Sequence, residues 1–170
     1  MKQFIKAGSR CLLGMTLFFA THLQAQDNPF IKHMYTADPS ARVWADGRLY
    51  VYASHDIAPP QGCDLMDQYH VFSTADMKTW TDHGEILRAS QVPWGRKEGG
   101  FMWAPDCVYK NGTYYFYFPH PSGTEWNKTW KIGVATSKSP AKDFVVQGYV
   151  RGPKHLLIRT SLSMIMDRPI

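Results

Sequence analysis

Four absences narrow this 170-residue sequence before any motif is considered. No segment past residue 25 carries a long helical period of apolar residues, which excludes a helix bundle. The largely apolar stretch from Cys11 to Thr21 is too short for a comfortable membrane span, which needs about 20 residues. Cysteine is scarce, at three in the chain, and the spacing fixes neither a disulfide nor a zinc site. Past residue 25 the charges are mixed in sign, so no basic stripe argues for nucleic acid.

The N-terminus reads as an address. Lys2, Lys6 and Arg10 form a basic region, the apolar stretch follows, and Leu23-Gln24-Ala25 ends in a small residue before Gln26. This predicts a signal peptide over residues 1–25, cleaved after Ala25, and a periplasmic or secreted protein with no membrane attachment afterwards. Its removal takes three cations and no acid, so the net charge of +5 falls to +2 (5 − 3). Cys11 leaves with it. Cys63 and Cys107 remain, as a pair in an oxidising compartment or as two ordinary semi-buried thiols. The rest of the chain suffices for one small domain.

Aromatic residues, by contrast, make up 14% of the chain. They stack on sugar rings in many exported strand-rich proteins, and more often they fill cores. Here they fall in short alternating runs: Arg48 to Ala53, Tyr69 to Ser73, Thr113 to Phe118 and Trp130 to Thr136. Gly, Pro, Asp and Asn separate these runs, so the expected class is all-β. The runs also repeat. Val43 to Tyr52 aligns with Val108 to Tyr117 at an offset of 65 residues, and Val71 to Asp76 aligns with Val134 to Ser139 at 63. Fourth strands are expected at Thr79 to Leu87 and at Phe144 to Tyr149. Each unit is then a strand, an Asp-Gly or Asn-Gly turn, an aromatic strand, a third strand ending in Ser or Thr, and a fourth. Four antiparallel strands per repeat predict propeller blades, one at about 35–90 and one at about 101–150. Rings close with about 4 to 8 blades, so the chain is expected to be a fragment, with residues 151–170 at most opening a third blade.

Two stretches carry a resemblance. "YTADPSARVWADGRLYVYASHD", Tyr35 to Asp56, and "FMWAPDCVYKNGTYYFYF", Phe101 to Phe118, resemble the first two blades of glycoside hydrolase family 43. The shared motifs are Ala-Asp-Pro-Ser before an Asp-Gly hairpin, Ser-His-Asp after it, Asp76-x-x-x-Trp80, and Trp103-Ala104-Pro105-Asp106 one repeat later. The resemblance covers nearly all of residues 28 to 150. It implies a five-bladed β-propeller of the β-xylosidase, α-L-arabinofuranosidase or arabinanase type, which releases xylose or arabinose from plant polysaccharides with inversion.

Such chemistry needs one carboxylate to activate water and a protonated carboxylic acid to assist the leaving oxygen. The resemblance maps the general base onto Asp38, which by itself would read as a turn residue before Pro39. It makes Trp103 and Asp106 lining residues that bind substrate, with Asp56 as a further candidate near the axis. The bland alternative for these is packing by Trp103 and turn hydrogen bonds by Asp106. Trp94, Trp126 and Trp130 flank polar or Gly-rich loops, in positions suited equally to a sugar pocket or to rim packing. The segment Cys63 to Asp67 has little of a metal-ligand pattern. The resemblance also implies a third-blade Asp that tunes the acid's pKa. Asp167 stands near the expected distance, but Arg168 separates it from Pro169. No residue matches the family's general-acid Glu. No cofactor is required; a calcium ion at the propeller centre is implied by the family, with no metal ligand assignable here. The expected partner is an oligo- or polysaccharide.

After Gly152 the composition turns to Leu, Ile, Ser and Met, as a shifted reading frame or truncated gene would give. An isolated chain of this kind is expected to be inactive and poorly stable. A noncatalytic carbohydrate-binding propeller piece, or a decayed gene fragment, fits the same residues.

Overall fold

The computed structural model describes residues 29–57, 65–125 and 128–151. The predicted signal peptide, Cys63, Trp126, Asp167 and residues 152–170 lie outside the described residues.

Eight strands form two four-stranded antiparallel sheets, each a simple meander. The first sheet runs β1 (Tyr35–Val43), β2 (Leu49–Asp56), β3 (Gln68–Thr74) and β4 (Thr81–Arg88); the second runs β5 (Asp106–Lys110), β6 (Thr113–Pro121), β7 (Trp130–Ser137) and β8 (Val145–Tyr149). A 3₁₀ turn at Ala89–Gln91 follows the first sheet. This is the architecture of two propeller blades.

Turn chemistry sets the registers. In the second blade Lys110 pairs with Thr113, so Asn111 and Gly112 alone make the loop. Both take positive φ, 49° and 75°, as a type I′ hairpin requires. In the first blade Val43 pairs with Leu49, so the Asp-Gly turn sits inside a five-residue loop and is not the tight hairpin the sequence suggests. Gly47, at φ 74°, supplies the left-handed step, and Asp46 accepts from the Arg48 N–H. Asp76 caps the turn between β3 and β4 by accepting from the N–H groups of Lys78 and Thr79 at 2.8 and 2.7 Å. Those donors hold its carboxyl down at about 2. Trp80, the other end of that motif, stacks on Phe30 at 3.9 Å. The Asp-x-x-x-Trp pattern is therefore turn and packing text.

The blades pack through their aromatic strands. Tyr52, Tyr69, Phe116 and Phe118 are fully buried, and Tyr69 meets Phe116 edge to face at 5.0 Å. Each buried phenol finds a partner: Tyr52 donates to the Pro140 carbonyl and Tyr69 to the Trp103 carbonyl. Cys107 is buried in the same core, and burial pushes its thiol up to about 12. Such a thiol is inert at neutral pH.

Candidate functional site

Asp38 sits within β1, at a break in its pairing with β2. Ala37 pairs with Ser54 and Ser40 with Tyr52, so Asp38 and Pro39 together oppose Ala53. That is a β-bulge, and Pro39 fits it because a bulged residue has no ladder bond to donate. Asp38 adopts φ 46°, a left-handed conformation that Asp tolerates better than most residues. The bulge turns its side chain out of the regular alternation, and the residue is exposed.

Trp103 approaches Asp38 from the second blade. It lies in the loop before β5, and its indole Nε1–H donates to Asp38 Oδ2. The loop bends through left-handed residues on both sides, Phe101 at φ 56° and Ala104 at φ 32°. Trp130, at the start of β7, lies 5.7 Å from the Trp103 ring and 6.1 Å from Phe101. Arg96 places its guanidinium 5.0 Å over the Phe101 ring. An exposed carboxylate thus stands beside an aromatic wall of Trp103 and Trp130, with the buried Phe101 packed behind it. A sugar's apolar face stacks on such a wall while a carboxylate takes its hydroxyls or an attacking water.

The other expected residues fall as follows. Asp106 opens β5 and its carboxylate is engaged: Arg42 of β1 donates to Oδ2 at 2.6 Å and the Cys107 N–H donates to Oδ1 at 2.7 Å. Arg42 also donates to the Cys107 carbonyl at 3.2 Å, so it ties the innermost strands of the two blades. Asp56 ends β2 opposite Tyr35, at the same end of the first blade as Asp38, and is half-buried. Its neighbour His55 contacts the Gln68 side chain. Trp94 belongs to the packing, stacked on Phe118 at 6.0 Å with its N–H on the Gly148 carbonyl.

Sequence reasoning passed over Arg42, Tyr69 and His120. His120 lies one offset of 65 from His55, at the end of β6. It is fully buried, and neither ring nitrogen has a well-formed hydrogen bond. Burial first, then the Arg96 charge, push its pKa down to about 4, against the opposing pull of the Phe101 and Gly100 carbonyls. Extending the repeat alignment from residue 52 to 55 would have paired the two histidines.

Two tandem four-stranded meanders, with an exposed carboxylate of one beside an aromatic wall of the next, define a class: the β-propellers. Comparison with known proteins narrows it. The profile described as "Glycosyl hydrolases family 43" matches residues 26–158, and the chain belongs to that family. It is 42% identical over 125 residues to xylosidase/arabinosidase 43A of Humicola insolens, covering 68% of this chain and 36% of that protein. It is 39% identical over 119 residues to a xylosidase/arabinosidase of Bacteroides ovatus, covering 65% and 34% respectively. The fold matches a crystal structure of CoXyl43, a β-xylosidase/α-arabinofuranosidase from a compost metagenome, solved with xylotriose in a calcium-free form. That match has a TM-score of 0.60 and 40% identity, over 72% of this chain and 37% of the other. The chain therefore spans about a third of the length of the relatives it matches.

Calcium takes about six to eight oxygen ligands. Among the described residues no group of three or more His, Cys, Asp or Glu side chains forms a set for a metal ion.

Proposed function

We propose that this chain carries the water-activating half of an inverting glycosidase site, with Asp38 as general base, acting on xylose- or arabinose-containing plant polysaccharides. The observation that supports this best is the placement of Asp38: a bulged, left-handed, exposed carboxylate facing an aromatic wall contributed by the next blade. In the reaction Asp38 takes a proton from a water molecule, the water oxygen attacks the anomeric carbon, and the glycosidic bond breaks with inversion, its electron pair leaving on the aglycone oxygen, which solvent protonates. Trp103 and Trp130 offer their rings to the sugar's apolar face, and Phe101 is buried behind them. Asp106 and Asp56 belong to the polar surround of the site, Asp106 acting through Arg42. The resemblances to proteins named as xylosidases and arabinosidases support the substrate class. Asp167 is proposed as the remnant of the pKa-tuning position. With the leader over residues 1–25, the protein is proposed to be exported, and residues 26–170 to form part of one propeller domain.

No residue of the chain is assigned to the general-acid role. We therefore propose that the isolated polypeptide is nearly inactive on natural glycosides, because general acid assistance is worth about 10² to 10⁴ in rate. A nitrophenolate leaving group needs no such proton. The test is hydrolysis of dinitrophenyl pentosides beside xylotriose, with the anomer of the product followed by proton NMR. The expected outcome is slow, inverting turnover of the activated glycoside that Asp38→Asn abolishes, with xylotriose bound and left intact. Turnover that retains configuration, or that Asp38→Asn leaves unchanged, refutes the base assignment. Binding of xylotriose with no turnover of either substrate would favour the noncatalytic reading, which the same aromatic wall supports.

A further inference from the structure

A general base must aim one carboxylate oxygen at the attacking water, yet the carboxylate of an exposed Asp rotates freely about its Cβ–Cγ bond. We propose that Trp103 is a positioning residue for Asp38: its indole N–H pins Oδ2 and so leaves Oδ1 facing the water. This rests on the reading of Asp38 as the base.

The geometry supports the assignment from both sides of the bond. On the Asp38 side the backbone is already fixed, since the bulge and the left-handed φ of 46° determine where Cβ points. What remains free is the carboxylate torsion, and the Trp103 N–H acts on it. Indole nitrogen is a donor and never an acceptor, so the contact has one polarity. An N–H facing a carboxylate is also a charge-assisted bond, stronger than a neutral one.

On the Trp103 side the indole is held independently of Asp38. The buried Tyr69 hydroxyl donates to the Trp103 carbonyl at 2.9 Å, and the Trp103 N–H of the main chain donates to the Pro119 carbonyl at 3.4 Å. Trp130 packs beside its ring at 5.7 Å. Trp103 therefore acts as a fixed post and Asp38 as the group steered by it. The two blades are tied again next to this contact, where Arg42 reaches Asp106 and the Cys107 carbonyl. The direction of the base is thus set by the second blade, although the base belongs to the first.

This role differs from sugar stacking, which needs the indole face and not its N–H. The test is the indole region of a ¹H–¹⁵N spectrum of the full chain, with the Trp103 signal assigned through Trp103→Phe. At neutral pH the Trp103 indole N–H, facing a charged acceptor, is expected to resonate further downfield in the wild type than in Asp38→Asn, whose neutral amide accepts more weakly. Asp38 is exposed, so that variant keeps its fold even if Trp103→Phe does not, and the comparison of wild type with Asp38→Asn decides alone. A Trp103 indole signal at the same position in both chains overturns the proposal. Kinetics on the activated glycoside give a second readout: Trp103→Phe keeps an aromatic face and loses the N–H, so kcat falls about tenfold with little change in KM. A raised KM with kcat unchanged would mean stacking alone, and would also overturn it. If Asp38→Asn leaves turnover unchanged while the indole signal still tracks Asp38, the base reading has failed and the contact has not. If the indole signal ignores Asp38 while Asp38→Asn abolishes turnover, the positioning has failed and the base stands.

Discussion

His120 makes the chain sensitive to mild acid, and the size of the effect follows from its surroundings. The imidazole is fully buried against Trp94, with ring centroids 5.7 Å apart, and the backbone at Gly95 packs so closely that a Cβ there would lie 2.5 Å from Nε2. A proton on this ring would be a buried charge without a well-formed hydrogen bond, repelled by Arg96. Its pKa therefore falls from 6.5 to about 4 on folding. Because the unfolded chain binds the proton more tightly, stability is complete above pH 6.5 and is lost as the pH falls toward 4. Integrating between these values gives a loss of about 2 kcal/mol from pH 8 to pH 5, and about 3 kcal/mol in all. The assay is urea unfolding of the full chain at a series of pH values, for wild type and His120→Gln. His70 and His83 are also shifted downward by burial and add acid sensitivity of the same sign, but they are present in both proteins. The difference between the two curves isolates His120. His120→Gln is expected to start less stable at pH 8, through the space it leaves, and then to lose about 2 kcal/mol less than wild type by pH 5. Parallel curves, agreeing in slope to within about 0.5 kcal/mol, would refute the reasoning.

Four further predictions concern packing, turn geometry and the ties between blades. In β7, a Cβ on Gly133 would lie 2.3 Å from the ring of the fully buried Phe118, so Gly133→Ala should cost at least about 1–3 kcal/mol in urea unfolding. Gly112→Ala meets nothing within 4 Å and should cost about 1–2 kcal/mol, through its φ of 75° alone. Tyr69→Phe removes the hydroxyl that holds the Trp103 carbonyl and should cost about 1 kcal/mol in the same assay, with a change in tryptophan fluorescence as the loop loosens. Arg42→Met leaves the Asp106 carboxylate, whose side chain is 18% exposed, without its cation; the expected loss is about 1–3 kcal/mol, and no loss on titration with urea would show that the inter-blade tie contributes nothing.

Much of this structure was legible because strands announce themselves locally. The aromatic run after Asn111-Gly112 and the alternation in RLYVYA depend on turn chemistry and pairing within a blade, and both sit where the sequence places them. The site was legible in a different way. Asp38 emerges through a motif, since nothing in its own chemistry distinguishes a bulge from a turn before proline, and the left-handed φ becomes visible only once β2 pairs across it. The partner of Asp106 was not legible, because Arg42 stands 64 residues away and no local pattern reports a contact across two sheets. Trp94 and Trp130 look alike in sequence, each beside a polar loop. One packs on Phe118 and the other joins the wall with Trp103, a distinction made by blade packing.

The repeat itself explains how unlike residues come to form one site. Asp38 and Trp103 stand 65 residues apart, as do Arg42 and Cys107, and 65 is the offset that aligns the two blades. Contacts between the innermost strands therefore join equivalent positions of successive repeats. An identical repeat would place like beside like, carboxylate against carboxylate or arginine against arginine, and such pairs repel. Divergence turns the same geometry into complementary pairs: a carboxylate with an indole donor at an offset of 65, and a guanidinium with the Asp106 carboxylate at 64. The requirement acts on one position per blade and leaves the Asp-Gly and Asn-Gly turns and the aromatic strands free to stay alike. This accounts for a repeat that is clear in the hairpins and lost at Asp38 and Trp103, the two residues that must differ for their contact to exist.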